Sequence, residues 1–355
     1  MELRAIGIDL GKSIFHLVGV DGRGQVVVRK KLSRTQLLPF TVNLQPCLIG
    51  MEASCGANHL GRQLAAQGHD ARLMPAQYVR PFVKSNKNDF LDAEAVVEAV
   101  QRPTMRFVPL KTAEQLDLQA FHRVRERLVG QRTAVINQLR GFLLERGLTV
   151  RCGRIHLERQ LPGILEDADN GLSGRLRDLL QGLRAEWRQL DTEIGRMDAS
   201  IDRVAVQDEA CQRLATIPGV GPLVATALVA AVGHGAPFAK GRDMAAWLGL
   251  VPRQHSTGGR PRLLGISKRG NVYVRRLLIT GARSMVIAGR RDRHRFGRWL
   301  DGLEGRAHHN VVVVALANKL ARIAWAVLTK KEPYRATGVA SREAPTPCAG
   351  QLQAS

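Results

Sequence analysis

Five side chains stand out as groups able to do phosphoryl chemistry. Asp9 ends the apolar run GIDL, and Glu52 ends LIGME. A carboxylate in an apolar strand is costly unless it is paired or holds a cation. Asp89 and Asp92, in NKNDFLDAEA, lie three residues apart. That spacing puts both on one face of a helix, at the end whose dipole favours anions. Capping alone accounts for Asp89, since Asp is a favoured N-cap, and a strand-end turn accounts for Asp9. Neither explanation covers acids at the ends of two strands and a helix together. Four carboxylates so placed form a site for hard divalent ions, and two Mg²⁺ can clamp both oxygens of an in-line phosphoryl displacement. Lys84 and Lys87 flank the pair of aspartates and would lie near a nucleic-acid backbone.

The fifth group is Ser256, in RQHSTGGRPRLLGISKRGN. Gly258 and Gly259 allow close backbone approach to a bulky ligand. Arg253, Arg260, Arg262, Lys268 and Arg269 supply charge, and arginine forks match phosphate geometry. A serine hydroxyl is a weak nucleophile until a base takes its proton or a metal stabilises the developing charge. The one nearby base, His255, points away if the segment is extended. On local chemistry Ser256 reads as a phosphate ligand ahead of a nucleophile. Upstream, IPGVGP places Gly219 and Gly221 in a turn between helices. It reads either as a helix-hairpin-helix grip on a DNA backbone or as a plain tight turn. GIDLGKS also resembles the phosphate loop of actin-like kinases, with Gly11 in the cradle.

These groups need elements to position them. RAIGIDLG, FHLVGV and QVVVRKKL read as three strands in a meander, with Asp21-Gly22 at a hairpin turn. PCLIGMEA reads as a fourth strand after a polar stretch. A helix over about 57–67, a fifth strand at DARLMPA and a helix from Asp89 to Gln101 follow. The expectation is an α/β domain over 1–109, a mixed sheet with helices on its faces. Residues 110–150 and 172–204 carry helical periodicity and read as two long helices in an antiparallel hairpin or a coiled coil, serving as a spacer or a dimerisation arm. Residues 151–171 read as a turn-around, 209–335 as a mostly helical domain, and 336–355 as a disordered tail.

Composition narrows the partner. Lys+Arg total 53 against Asp+Glu 31, a formal net charge of +22. So basic a chain most often meets nucleic acid, a solubilising surface being the plainer alternative. Aromatic residues are 5%, so stacking platforms for single strands are not indicated. Five cysteines without CxxC spacing argue against a disulfide framework and a zinc site. The N-terminus reads as a strand rather than a signal peptide, and VVVVALANKLARIAWAVL as a buried helix. The expectation is a cytoplasmic protein with no membrane partner.

The order Asp9, Glu52, Asp89, Asp92, followed far downstream by Q-x-S-T-G-G and GISKRG, resembles the DEDD transposases of the insertion-sequence-110 family, and its insertion-sequence-1111 subgroup more closely. NKNDFLDAEAV, HRVRERLVGQRTAVINQLRG, IPGVGP and AAWLGLVPRQHSTGG carry the likeness, which spans about residues 4–335. Asn88 stands where Thr is common across the wider family, and Thr257 is a second hydroxyl able in principle to compete with Ser256. The resemblance implies an N-terminal RuvC-like domain of ribonuclease H fold, a coiled-coil linker and a C-terminal transposase domain. It implies Mg²⁺ on the four acids, a covalent phosphoserine at Ser256, and a structured noncoding guide RNA pairing with donor and target DNA. It also implies a homo-oligomer, dimer or tetramer, in which the serine of one subunit meets the acids of another. A junction-resolving endonuclease using metal-activated water is the alternative with the same fold and acids.

Overall fold

The computed structural model describes residues 3–84, 88–287 and 296–335, Arg298 by its backbone alone. Lys87 and the tail from residue 336 lie outside the described residues. The chain divides into two compact units between Leu116 and Asp117.

The first unit is built on β1 (Ala5–Leu10), β2 (Ile14–Val20), β3 (Val26–Ser33), β4 (Leu48–Glu52) and β5 (Asp70–Met74). Their order in the sheet is β3-β2-β1-β4-β5. The first three form the expected meander, and the β2–β3 turn is held by Asp21, whose Oδ1 accepts from the Arg23 and Gln25 amides at 2.9 Å each. Strand β4 then pairs parallel to β1, and β5 parallel to β4. Parallel neighbours need a crossover, and α2 (Ala57–Ala66) supplies the one between β4 and β5. The polar stretch before β4 holds α1 (Arg34–Thr41). Ser33 and Gln36 form a capping box there, which lets eight polar-rich residues start a helix.

Alternation along the strands splits the sheet into two faces. Ile6, Ile8, Leu17, Ile49, Met51 and Leu73 point to the side covered by α1 and α2. Ala5, Val18 and Val20 point to the other side, covered by α4 (Asp89–Val100), which follows α3 (Ala76–Val79) and a single 3₁₀ turn. Arg29 on β3 pairs with Glu94 on α4, fixing the helix across the sheet.

The second unit opens with α5 (Ala113–Leu144), α6 (Arg154–Glu166) and α7 (Gly174–Gln207). Arg125 pairs with Asp198, and Arg132 with Asp191 at 2.7 Å, so α5 and α7 run antiparallel. The segment expected as a turn-around is α6, thirteen residues long. Its Leu157, Leu161 and Leu165 are spaced by four and pack with Leu139 and Leu143 of α5 and Leu180 and Trp187 of α7. That leucine spacing is a helical stripe interrupted by Pro162, which masked it in the sequence. Beyond follow α8 (Glu209–Ala215), α9 (Pro222–Val232), α10 (Gly241–Trp247), strands β6 (Pro252–Thr257) and β7 (Arg260–Ile266), then α11 (Val272–Ile287), α12 (Gly297–Glu304) and α13 (His309–Lys330). Helix α13 is long and apolar enough to cross a membrane, and half of that window is buried. Leu316, Ala317, Leu320, Ala321 and Ala324 are fully buried in the helical core, as the sequence reading expected of this segment.

Buried His122 joins α5 to this core. Its Nδ1 lies 3.0 Å from the Tyr273 hydroxyl and its Nε2 3.1 Å from Thr226 Oγ1. Burial first, then the Arg125 charge, pushes the imidazole down to about 4. A histidine held neutral in this way contributes stability that is complete above the unfolded value near 6.5 and is lost as pH falls toward 4. Thermal unfolding of the wild type is therefore expected to weaken between pH 6.5 and 4. In His122→Gln the pH dependence across that window is expected to be shallower, which differential scanning calorimetry at stepped pH would measure.

Candidate active site

Two glycines place the acids. Gly7 on β1 and Gly50 on β4 are register partners. A Cβ on Gly7 would sit 2.2 Å from the Ala93 carbonyl oxygen, and one on Gly50 2.7 Å from the Val100 Cβ. Glycine at both points lets α4 lie directly on the sheet. Asp9 and Glu52 are each two residues further along their strands, so they emerge on the α4 face beyond the close contact. The helix begins at the same level, with Asn88 as its cap, Oδ1 accepting from the Phe90 amide at 3.0 Å. Asn88 therefore does the capping that sequence reasoning offered for Asp89, and Asp89 and Asp92 in the first turn are left for another role.

Asp9, Glu52 and Asp92 line one cleft together with Gln77 and Arg80. Asp89 lies outside that cleft, half-exposed, with Oδ2 3.5 Å from Nδ1 of His16. Burial raises the Asp9 pKa, and Asp92 and Asp89 raise it further, against a lowering by His16. Burial likewise raises Glu52, followed by Asp9 and Asp92. Asp9 thus interacts with all three other carboxyls, and Glu52 with Asp92 as well. A cluster that holds this much like charge in part-buried surroundings is strained until a cation enters, and its donors are the oxygens that hard divalent ions prefer.

Sequence reasoning missed His16. The signal was available in the hairpin: a tight turn over Gly11–Ser13 pairs residues summing to 25, which sets Asp9 opposite His16. Its ring stands edge-on to Phe90 at 4.8 Å. Arg80 was also missed, since no periodicity marks the short helix that precedes it. Lys84, expected near a nucleic-acid backbone, has its Nζ 3.2 Å from Glu98.

The geometry supplies a test of the helix contact. Gly7→Ala must push α4 off β1 by displacing the Ala93 peptide, at a cost of about 1–3 kcal/mol. The expected result is a lower melting temperature by differential scanning calorimetry, because the helix contact is lost.

The serine segment is a β-hairpin. Strands β6 and β7 pair antiparallel and are exposed throughout, apart from Ile266. Gly258 and Gly259 form the two-residue turn with φ of 55° and 74°, a left-handed pair of the kind such turns require. Their role in the fold is thus to turn the chain. Cross-strand partners share a face. Ser256 pairs with Pro261, while His255 pairs with Arg262 and Thr257 with Arg260. Arg260 and Arg262 therefore project from the face opposite Ser256, which corrects the expectation of a single cradle around the serine. Thr257 and His255 share that opposite face. Gln254, two residues away and on the serine's face, donates Nε2 to Ser256 Oγ at 2.8 Å.

At the hairpin's foot, exposed Arg253, Lys268 and Arg269 remain available to a polyanion. Buried Arg275 donates Nη1 to the Leu248 and Arg269 carbonyls at 2.8 Å each, anchoring that foot. Gly219 has φ 82°, and a Cβ on it would meet Met285 Sδ at 2.7 Å. Packing against α11 therefore accounts for Gly219. Gly221 is the N-cap of α9 with open space around it.

A mixed sheet whose central strand carries an acid is faced here by acids from the next strand and from a covering helix, a grouping of oxygen donors of the kind found in nuclease-like folds. The chain matches the family profile DEDD_Tnp_IS110, a transposase, over residues 6–146, and the Transposase IS116/IS110/IS902 family profile over residues 211–297. It is 46% identical over 94% of its length to a probable family 20 transposase of Pseudomonas aeruginosa, of which it covers 99%. It is 43% identical to the transposase for insertion sequence element IS1111A of Coxiella burnetii, covering 94% of this chain and 92% of that one. It is likewise 43% identical to the transposase for insertion sequence element IS1328 of Yersinia enterocolitica, covering 92% and 96% respectively. The chain belongs to the IS110 family of transposases. Its class of reaction is therefore DNA transposition and recombination, and the kinase reading of GIDLGKS falls away.

Proposed function

We propose that this transposase is an RNA-guided, Mg²⁺-dependent recombinase that excises and inserts its insertion sequence through a covalent phosphoserine at Ser256. The convergence of Asp9, Glu52 and Asp92 on one cleft, with Asp89 at its edge, is the observation that carries the reading. It suits a RuvC-like, ribonuclease H-type domain, with α5 and α7 as the arm of a homo-oligomer and the helices from α8 onward as the transposase domain.

A divalent ion on the carboxylates supplies charge neutralisation at the scissile phosphate and lowers the cost of ionising an attacking hydroxyl. Ser256 Oγ forms a bond to phosphorus while the bond to one sugar oxygen breaks. The serine's proton is released and the departing sugar oxygen takes one up, so the phosphodiester count is conserved and the reverse step rejoins strands. Gln254 donates to Oγ and so favours the oxygen as its proton leaves. Arg260, Arg262, Arg253, Lys268 and Arg269 hold flanking phosphates, as do the exposed amides at Gly221. The net charge of +22 supports binding to donor and target DNA and to a guide RNA, and base specificity would then reside in RNA pairing.

A second reading, a junction-resolving nuclease with water as nucleophile, draws on one observation: neither His255 nor Thr257 shares the serine's face of the hairpin. One experiment separates the two. The protein, with any RNA that co-purifies, is incubated with element-end DNA and Mg²⁺, and peptides are mapped by mass spectrometry. A nucleotide adduct on Ser256 supports the recombinase, whereas cleavage without any adduct supports the nuclease. Sequencing of the co-purified RNA tests guidance separately.

A further inference from the structure

We propose that His16 is a nitrogen ligand of the acidic cluster, and that the subsite it forms with Asp9 and Asp89 selects Mn²⁺ over Mg²⁺. This deepens the reading of the carboxylates as a metal site and rests on it.

The division follows from placement. Asp9, Glu52 and Asp92 line one cleft, and Asp89 does not. Ligand atoms of Asp9, His16 and Asp89 instead all lie within 4.8 Å of one another. Ligands facing each other across a Mg²⁺-sized ion are about 4.2 Å apart and adjacent ones about 3 Å, so the three groups must draw together when an ion binds. Asp9 is common to both groups, and a carboxylate with two oxygens can serve one ion with each.

The chemistry of the two groups differs. The cleft offers carboxylate oxygens, which suit Mg²⁺. The second group adds an imidazole, which Mg²⁺ accepts reluctantly and first-row transition ions accept readily. His16 is placed for this by three features. Cross-strand pairing sets it opposite Asp9. The ring packs edge-on against Phe90. Its side chain is only 12% exposed, so little ordering or desolvation remains to be done when an ion binds. Asp89 Oδ2 at 3.5 Å from Nδ1 is too long for a well-formed hydrogen bond and lies nearer the spacing of two adjacent ligands on one cation.

The test uses the full-length, untagged protein stripped of metal, with MnCl₂ and MgCl₂ as the probes. Calorimetric titration is expected to show two Mn²⁺ per wild-type chain. His16→Asn, a variant that keeps a polar group of shorter reach, is expected to lose one Mn²⁺ or weaken it about tenfold or more. Its Mg²⁺ affinity is expected to change less than about threefold, since Mg²⁺ binding rests on oxygen ligands. Pulsed EPR of the Mn²⁺ form is expected to show nitrogen modulation in the wild type and in Glu52→Gln, and none in His16→Asn. Circular dichroism confirms that each variant is folded. Nitrogen modulation persisting in His16→Asn, or equal losses of Mn²⁺ and Mg²⁺, would overturn the second subsite while leaving the carboxylate site intact. Absence of any Mn²⁺ or Mg²⁺ binding by the wild type would overturn the underlying metal reading as well.

Discussion

Ser256→Ala is expected to abolish the covalent protein–DNA adduct, lowering strand cleavage by about three orders of magnitude or more, while DNA affinity stays within about twofold. The asymmetry follows from where the serine sits. Its hydroxyl is on exposed β6, it accepts a local hydrogen bond from Gln254, and Arg260 and Arg262 project from the other face. Removing Oγ therefore takes away a nucleophile and no packing, and the phosphate-holding arginines remain. Ser256→Thr is expected to be nearly as damaged, because a secondary hydroxyl is more hindered. Mixing the Ser256→Ala and Asp9→Asn proteins is expected to restore an adduct, carried by the chain that retains its serine, if acids and serine act in trans. Persistence of wild-type cleavage in Ser256→Ala would sink the phosphoserine reading and leave the metal site as the sole chemistry. Gel analysis under denaturing conditions and a filter-binding assay at fixed salt are the two readouts.

Asp9→Asn should give the second large effect, with opposite signs on activity and stability. Asp9 interacts with each of the other three carboxyls, and is raised by burial first and then by Asp92 and Asp89. A carboxyl with a raised native pKa keeps its proton longer in the folded state than in the unfolded chain. Stability therefore falls as pH climbs from the unfolded value near 4 through the native one, and stays low above it. Asparagine removes that penalty and a source of repulsion for Glu52. The metal-free variant is expected to be more stable than the wild type at neutral pH by about 0.5–2 kcal/mol, the usual scale of relief at a strained functional site. Cleavage is expected to disappear. Mg²⁺ should raise the melting temperature of the wild type and leave the variant unchanged, since only a folded state that binds the ion gains from it. A variant less stable than the wild type would show that Asp9 serves the fold instead.

Much of this molecule is legible in its sequence. The five strands and the helices carrying the site follow from apolar runs, turn residues and periodicity, because each is a local property of a short segment. The acids are recognisable for the same reason: a charge at the end of an apolar strand is costly wherever the strand lies, which marks Asp9 and Glu52, and the three-residue spacing at a helix start marks Asp89 and Asp92. Sequence reasoning falls short where a segment's role depends on what it meets. Helix α6 is hidden because Pro162 breaks a stripe that only α5 and α7 complete. The need for glycine at 219 is invisible locally, since it arises from the close approach of Met285 and Gly281.

The sequence by itself determined the reagents of this protein: carboxylates at two strand ends and a helix start, a serine beside two glycines, an excess of cations, and enough motif to place the chain among transposases. Tertiary structure alone decided how they are grouped. Strand register put His16 opposite Asp9, a pairing set by the length of the turn between their strands. The absence of side chains at Gly7 and Gly50 let a helix close on the sheet and bring its first-turn acids to the strand ends. The pleat of a two-stranded hairpin turned Arg260 and Arg262 away from Ser256. Residue types are written along the chain, but which of them share a few ångströms is set by pairing and packing between segments far apart in it.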